Sequence, residues 1–253
     1  MGLKLEGGKW ILGPGGGVDL DDIKNTRIDL TDGTWTLQDN LSAIQSVSHA
    51  SDVNTVVFNA IAAGAANQIS SSTLYNGPRW YKLLKDNSGT QITSDDLFQM
   101  TFKIEPQNTA TAPCPSCVML GISESPTSVG SNNTKTFGLT LLRSGASSNT
   151  GFLDKFISGV HASSSIPIYG VTGGWAASSN FCQANFTKIR TSTGALLGTV
   201  TNSQGTRDQS THTFTSSVNL YLTVAMFFRF NTDAALLNAD EDWKLSYSLT
   251  KVN

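Results

Sequence analysis

Cysteine is scarce: Cys114, Cys117 and Cys182 are the only three in 253 residues. That number rules out a disulfide framework and a zinc site built from thiolates alone. Cys114-Pro115-Ser116-Cys117 has the spacing of a redox pair or of half a zinc site. Pro113 and Pro115 nevertheless make it a turn, whereas a redox pair normally opens a helix. Structural thiols or an incidental local disulfide are expected. Charge is equally thin, at 14% of residues and a net −2, so there is no electrostatic footprint for nucleic acid. Glutamate occurs only as Glu6, Glu105, Glu124 and Glu241, and histidine only as His49, His161 and His212. Long apolar runs are missing too. Ala60–Ala66 and Val224–Phe228 fall far short of the roughly 18 residues of a membrane span. The first residues lack the run of roughly 7–15 apolar residues of a secretory signal. A soluble chain made without a signal of its own is expected, with neither membrane nor nucleic acid as partner.

What is present is serine, threonine and asparagine, and an apolar alternation of period two. Leu97–Glu105 places Phe98, Met100, Phe102 and Ile104 on one face and Gln99, Thr101, Lys103 and Glu105 on the other. Phe137, Leu139 and Leu141 repeat the pattern. In Asn219–Phe230, Ala225 and Phe227 make the second face apolar as well, which predicts a strand in the middle of a sheet. Trp243, Leu245, Tyr247 and Leu249 alternate in a closing strand. Shorter strands are expected at Arg27–Leu30, Thr34–Leu37, Thr55–Asn59, Cys117–Ile122, Phe156–His161, Phe181–Arg190 and Leu196–Thr201. Asp32-Gly33, Ser88-Gly89, Ser144-Gly145, Gly173-Gly174 and Gln204-Gly205 supply turns. Alanine-rich Asn59–Gln68 is the one candidate helix, weakened by Gly64. The pattern predicts an all-β protein of two packed antiparallel sheets.

Residues 1–25 read as an extended glycine-rich arm, 26–50 as a docking segment or first strands, and 51–253 as the sandwich. Ordering the arm costs roughly 1–2 kcal/mol per residue. Leu3, Leu5, Trp10, Ile11 and Leu12 return only about 1.5–3 kcal/mol each if buried. The arm is therefore expected to lie on another molecule, with these residues and Trp35 as the assembly contacts.

The Phe98 to Leu141 meander and the Leu220 to Leu249 closing pair resemble a jelly roll of the concanavalin A-like lectin/glucanase type. The glycine-rich opening followed by Ile28-Asp29-Leu30-Thr31-Asp32-Gly33-Thr34-Trp35 is similar to the start of structural proteins of marine tailed phages, cyanophages especially. The resemblance implies a virion appendage or surface protein, such as a tail fibre or capsid decoration. Its partners would be other virion proteins and copies of itself.

Chemistry is harder to find. Glycoside hydrolysis needs a carboxyl pair, and the Glu-x-Asp-x-x-Glu strand of lectin-like glucanases is absent; Glu105 reads as a solvated strand end. Gly121-Ile122-Ser123-Glu124-Ser125 lacks the final glycine of a nucleophile elbow. His161 and His212 read as surface residues. Gly13, Gly15, Gly16 and Gly17 lack the Lys-Ser/Thr of a phosphate loop. Asp19, Asp21 and Asp22, or Asp240, Glu241 and Asp242, match no calcium loop. No catalytic residue, metal or cofactor is expected, and the chain is read as not an enzyme. Aromatic residues offer the alternative function, adhesion to host-surface glycan. Tyr169 and Trp175 in the glycine-rich Tyr169–Trp175 loop are the first candidates, and Trp80-Tyr81 after Gly77-Pro78 the next.

Overall fold

The computed structural model describes residues 3–6, 9–12, 26–39, 42, 44–59, 78–107, 116–125, 135–144, 148–157, 160–161, 168–172, 182–188, 196–202, 207–228 and 240–251. Every element among them is a strand: β1 (Leu3–Glu6), β2 (Lys9–Leu12), β3 (Thr26–Arg27), β4 (Thr36–Gln38), β5 (Ile44–Ala50), β6 (Val53–Phe58), β7 (Arg79–Leu83), β8 (Phe98–Pro106) and β9 (Ser116–Ser123). The second half adds β10 (Lys135–Ser144), β11 (Ser148–Ile157), β12 (Val160–His161), β13 (Ile168–Thr172), β14 (Cys182–Lys188), β15 (Leu196–Asn202), β16 (Arg207–His212), β17 (Tyr221–Phe228) and β18 (Asp240–Lys251). Two antiparallel sheets make a jelly-roll sandwich. The front sheet runs β12-β11-β10-β9-β17-β7-β4, with β13 also on β11. The back sheet runs β16-β15-β14-β8-β18-β6-β5, with β3 also on β18.

Alternation produces this arrangement. Along β8 the inward residues Phe98, Met100, Phe102, Ile104 and Pro106 are buried, and each residue between them is half-buried. Trp243, Leu245 and Leu249 of β18 meet them from the same sheet. The front sheet answers with Leu120, Ile122, Phe137, Leu222 and Val224, all fully buried in one continuous core. β17 lies between β9 and β7, the central position its two apolar faces demand. Phe156–His161, expected as one strand, is instead the end of β11 folding back on β12, with Phe156 opposite His161. A reading by apolar content alone does not register that the segment spans two paired strands.

The first residues fold back on themselves. β1 and β2 pair antiparallel from Leu3↔Leu12 to Glu6↔Lys9, as a ribbon separate from both large sheets. The Gly7-Gly8 sequence between them is one that two-residue hairpin connections favour. An isolated two-stranded ribbon is marginal in water. Residues 26–50 send β3 to β18, β4 to β7 and β5 to β6, with Ile28 and Leu30 in the core. Fully buried Asn54 clips this segment down, accepting from Leu30 N at 2.9 Å and donating to the Ile28 carbonyl at 2.7 Å. The alanine-rich candidate helix, beyond Asn59, lies outside the described residues.

Candidate functional site

The site is built on β7. In Arg79-Trp80-Tyr81-Lys82-Leu83-Leu84, alternation sends Trp80 and Leu84 into the core, at 2% and 1% exposure. Lys82 shares their side, so a cation stands on the apolar face of a strand. Tyr81 and Leu83 point the other way, and the register sets Thr223 opposite Tyr81 and Tyr221 opposite Leu83. Tyr81, Leu83 and Tyr221 therefore share one face of the front sheet.

A short edge strand opens the site. β4 covers β7 only from Arg79 to Tyr81, so no described strand flanks Lys82 and Leu83 on that side. Before β4 the chain makes two local turns of one kind. Asp29 Oδ1 accepts from the Thr31 N–H at 2.7 Å and the Thr31 hydroxyl at 2.6 Å. Asp32 Oδ1 does the same for Thr34 at the same distances, with Gly33 at φ +78° between them. These turns bring Thr34 and Trp35 alongside Lys82. The far rim repeats the device, where Asp86 Oδ1 accepts from Ser88 N, Ser88 Oγ and Thr90 N. The result is a groove of ≈ 510 Å³ lined by Thr34, Thr36, Tyr81, Lys82, Leu83, Lys85, Asp86, Tyr221 and, from the back sheet, Tyr247.

Electrostatics set the protonation states. Burial pulls the Lys82 ammonium below the ordinary lysine value, and nearby Asp32 partly restores it. The ammonium sits 4.4 Å from the centre of the Trp35 ring and 5.9 Å from that of Tyr247. Burial, with Asp32, pushes the Tyr247 phenol up, so it stays a neutral donor.

The residues singled out by sequence fall as follows. Trp80 is buried under the sheet, so its assignment to glycan contact is corrected: no sugar reaches that ring. Trp35 is half-buried, packed against the core, with the Lys82 ammonium over its ring. Leu3, Leu5, Trp10, Ile11 and Leu12 lie in the β1–β2 ribbon. Tyr169 lies in β13, and Trp175 is outside the described residues. So are Gly13, Gly15, Gly16, Gly17, Asp19, Asp21, Asp22 and Cys114. Asp240, Glu241 and Asp242 run along β18 in register with Val57, Val56 and Thr55 of β6. His212 is not on the surface but 5% exposed, edge-on to Phe214 at 4.7 Å. Ser123 closes β9, its hydroxyl bonded by Thr136 at 2.9 Å, with no elbow. Of the groove residues, Tyr81 was singled out with Trp80, whereas Lys82, Leu83 and Tyr221 were missed; the readable signal was a lysine between Trp80 and Leu84.

Glu105 is held by Arg27 at 2.7 Å and Lys103 at 3.1 Å. Burial alone would raise its affinity for a proton, but hydrogen bonds from Arg27 and Lys103 outweigh that and hold the carboxyl below its ordinary value. A depressed folded-state value gives stability that is present above the unfolded value and lost as pH falls through the folded one. Glu105→Gln is therefore expected to cost about 1 kcal/mol at neutral pH after solvent screening. It should also flatten the loss of stability below about pH 4, read from urea midpoints across pH.

No protein-family model and no curated protein matches the chain. Solved structures of similar fold include the CBM2 module of the evolved Dit of Lactobacillus casei BL23 phage J-1. It is 14% identical, over 90% of this chain and 96% of that one, with a TM-score of 0.46. Alginate lyase vAL-1 from a Chlorella virus is 10% identical over 90% and 99%, with a TM-score of 0.48. The β-glucanase of Bacillus licheniformis is 10% identical over 90% and 98%, also at 0.48. At these identities the likeness is one of architecture. The expectation that the chain is not an enzyme does not stand, because alginate lyases and a β-glucanase are built this way.

Proposed function

We propose that this chain is a virion structural protein whose β-sandwich is a glycan-binding module, with Tyr81, Leu83 and Tyr221 as the sugar platform. The observation that carries the reading is where apolar surface is left in water. Among the described residues the exposed large hydrophobics are Leu37 and Leu83, at 42% and 38%, both at the β4–β7 edge. Leu83 stands there beside Tyr81 and opposite Tyr221, in a groove of the size that small ligands occupy. Leu37 shares the face of Trp80 and lies outside the groove, whereas Leu83, exposed in a concave place beside two tyrosines, marks a contact surface. A pyranose has a C–H face that suits tyrosine rings and leucine methyls, and rim hydroxyls that suit Thr34, Thr36 and the phenols.

The virion placement is supported by the opening sequence and by the β1–β2 ribbon, which is too small to be stable alone. Attachment would run through Leu3, Leu5, Trp10, Ile11 and Leu12 to other virion proteins or to copies of this chain. The groove reading is tested on a broad glycan array with the full chain. Tyr221→Ala is expected to lower the affinity of the glycan that binds by about 10-fold or more, at an unchanged urea midpoint. A parent chain that binds no glycan, or a Tyr221→Ala variant that binds as well as the parent, would overturn it.

A further inference from the structure

We infer that the glycan taken by this groove is anionic, bearing a carboxylate or sulfate, and that Lys82 holds the anionic group. The inference rests on the glycan-binding reading and adds the ligand's charge.

Lys82 is half-buried at a position where alternation calls for an apolar residue, between Trp80 and Leu84. Its described polar contact is Thr34 Oγ1 at the 3.5 Å limit of a hydrogen bond. Among the described residues no carboxylate forms an ion pair with it, although Arg27, Lys103 and Lys251 each have one. Its other close neighbours are the faces of Trp35 and Tyr247, which steady a cation but leave the N–H donors of an ammonium unsatisfied.

The acids near the groove are already engaged. One oxygen of Asp32 takes both groups of Thr34, and one of Asp86 takes three donors from Ser88 and Thr90. Asp32 is near enough to oppose the effect of burial on Lys82, but the two form no ion pair among the described residues. A desolvated cation that no described carboxylate pairs is unfavourable there, and methionine or leucine would pack in its place without that penalty. The charge acquires a use when an anion enters the groove. Lys85 at the mouth adds a second cation on the same path.

The test compares oligosaccharides of equal length that are neutral, uronate-bearing or sulfated, by calorimetry on the full chain. At least one anionic series should bind about 10-fold or more tightly than the neutral one, and the advantage should shrink as salt rises. Which of the two wins identifies the group. Lys82→Met should bring the anionic-to-neutral ratio to about one, and Lys82→Arg should keep it above one. If Lys82→Met proves unstable, Lys82→Gln reads the same ratio. Equal affinity of the parent for neutral and anionic ligands, or a ratio preserved without the lysine, would overturn the inference and leave the glycan reading standing. Binding of none of the three would overturn both.

Discussion

Gly138→Ala is expected to cost about 3 kcal/mol or more, and Gly138→Val to yield no folded protein. The reason is the pairing of two glycines across neighbouring strands. Gly138 of β10 lies opposite Gly121 of β9. A Cβ on Gly138 would come within 2.6 Å of the Leu120 carbonyl oxygen and 2.7 Å of the Gly121 Cα. Both are backbone atoms inside a sheet, so neither can move without parting β9 from β10. Gly121→Ala meets softer resistance first, the mobile end of Met119 at 2.8 Å, then the Phe137 carbonyl at 3.0 Å. Its loss should be clearly the smaller of the two. β9 also pairs with β17, which pairs with the groove strand β7, so a displaced β9 would reach Tyr221 and Tyr81 as well. Urea midpoints of the two alanine variants decide the matter, and equal losses would mean that the strands separate freely.

The groove escaped sequence reading for the reason that β8, β17 and β18 did not. Those strands alternate over eight or more residues, and each announces its own inner face. In β7 both faces carry large side chains, Trp80 and Leu84 on one and Tyr81 and Leu83 on the other, so five residues give no contrast. Trp80 follows Gly77-Pro78 and was read with the turn, as a ring free for sugar; its pairing with Val224 and Leu37 places it under the sheet. Those pairings join residues 36–38, 79–81 and 221–225, and no local pattern encodes which distant strands meet. β5 failed differently. Its Gln45, Ser46 and Ser48 are exposed, and a bulge between Ile44 and Ser46 breaks the period. The aromatic search was drawn to Tyr169–Trp175 because glycine-rich loops display rings. The charge on the apolar face of β7 was the better lead, since a lone lysine there conflicts with its surroundings and such conflicts gather at functional sites.

On the proposed virion placement, two truncations should separate the N-terminal ribbon from the sandwich. Deleting residues 2–17 removes the β1–β2 ribbon, which belongs to neither large sheet. The urea midpoint is expected to stay put, while the chain disappears from purified particles. Deleting residues 2–30 is expected to cost about 5 kcal/mol or more, a large part of the roughly 5–15 kcal/mol that holds a domain together. It removes Ile28 and Leu30 from the core, each returning about 1.5–3 kcal/mol on burial. It also strips Asn54 of both its backbone partners, leaving buried polar atoms at about 1–3 kcal/mol. The Arg27 bond to Glu105 goes as well. Asn54→Ala in the full chain isolates the clip and should reproduce about 2 kcal/mol of the loss. If the 2–30 deletion melted like the parent, the segment from Thr26 to Leu30 would be a passenger on the sandwich. If the 2–17 deletion stayed in particles, attachment would have to run through the sandwich itself.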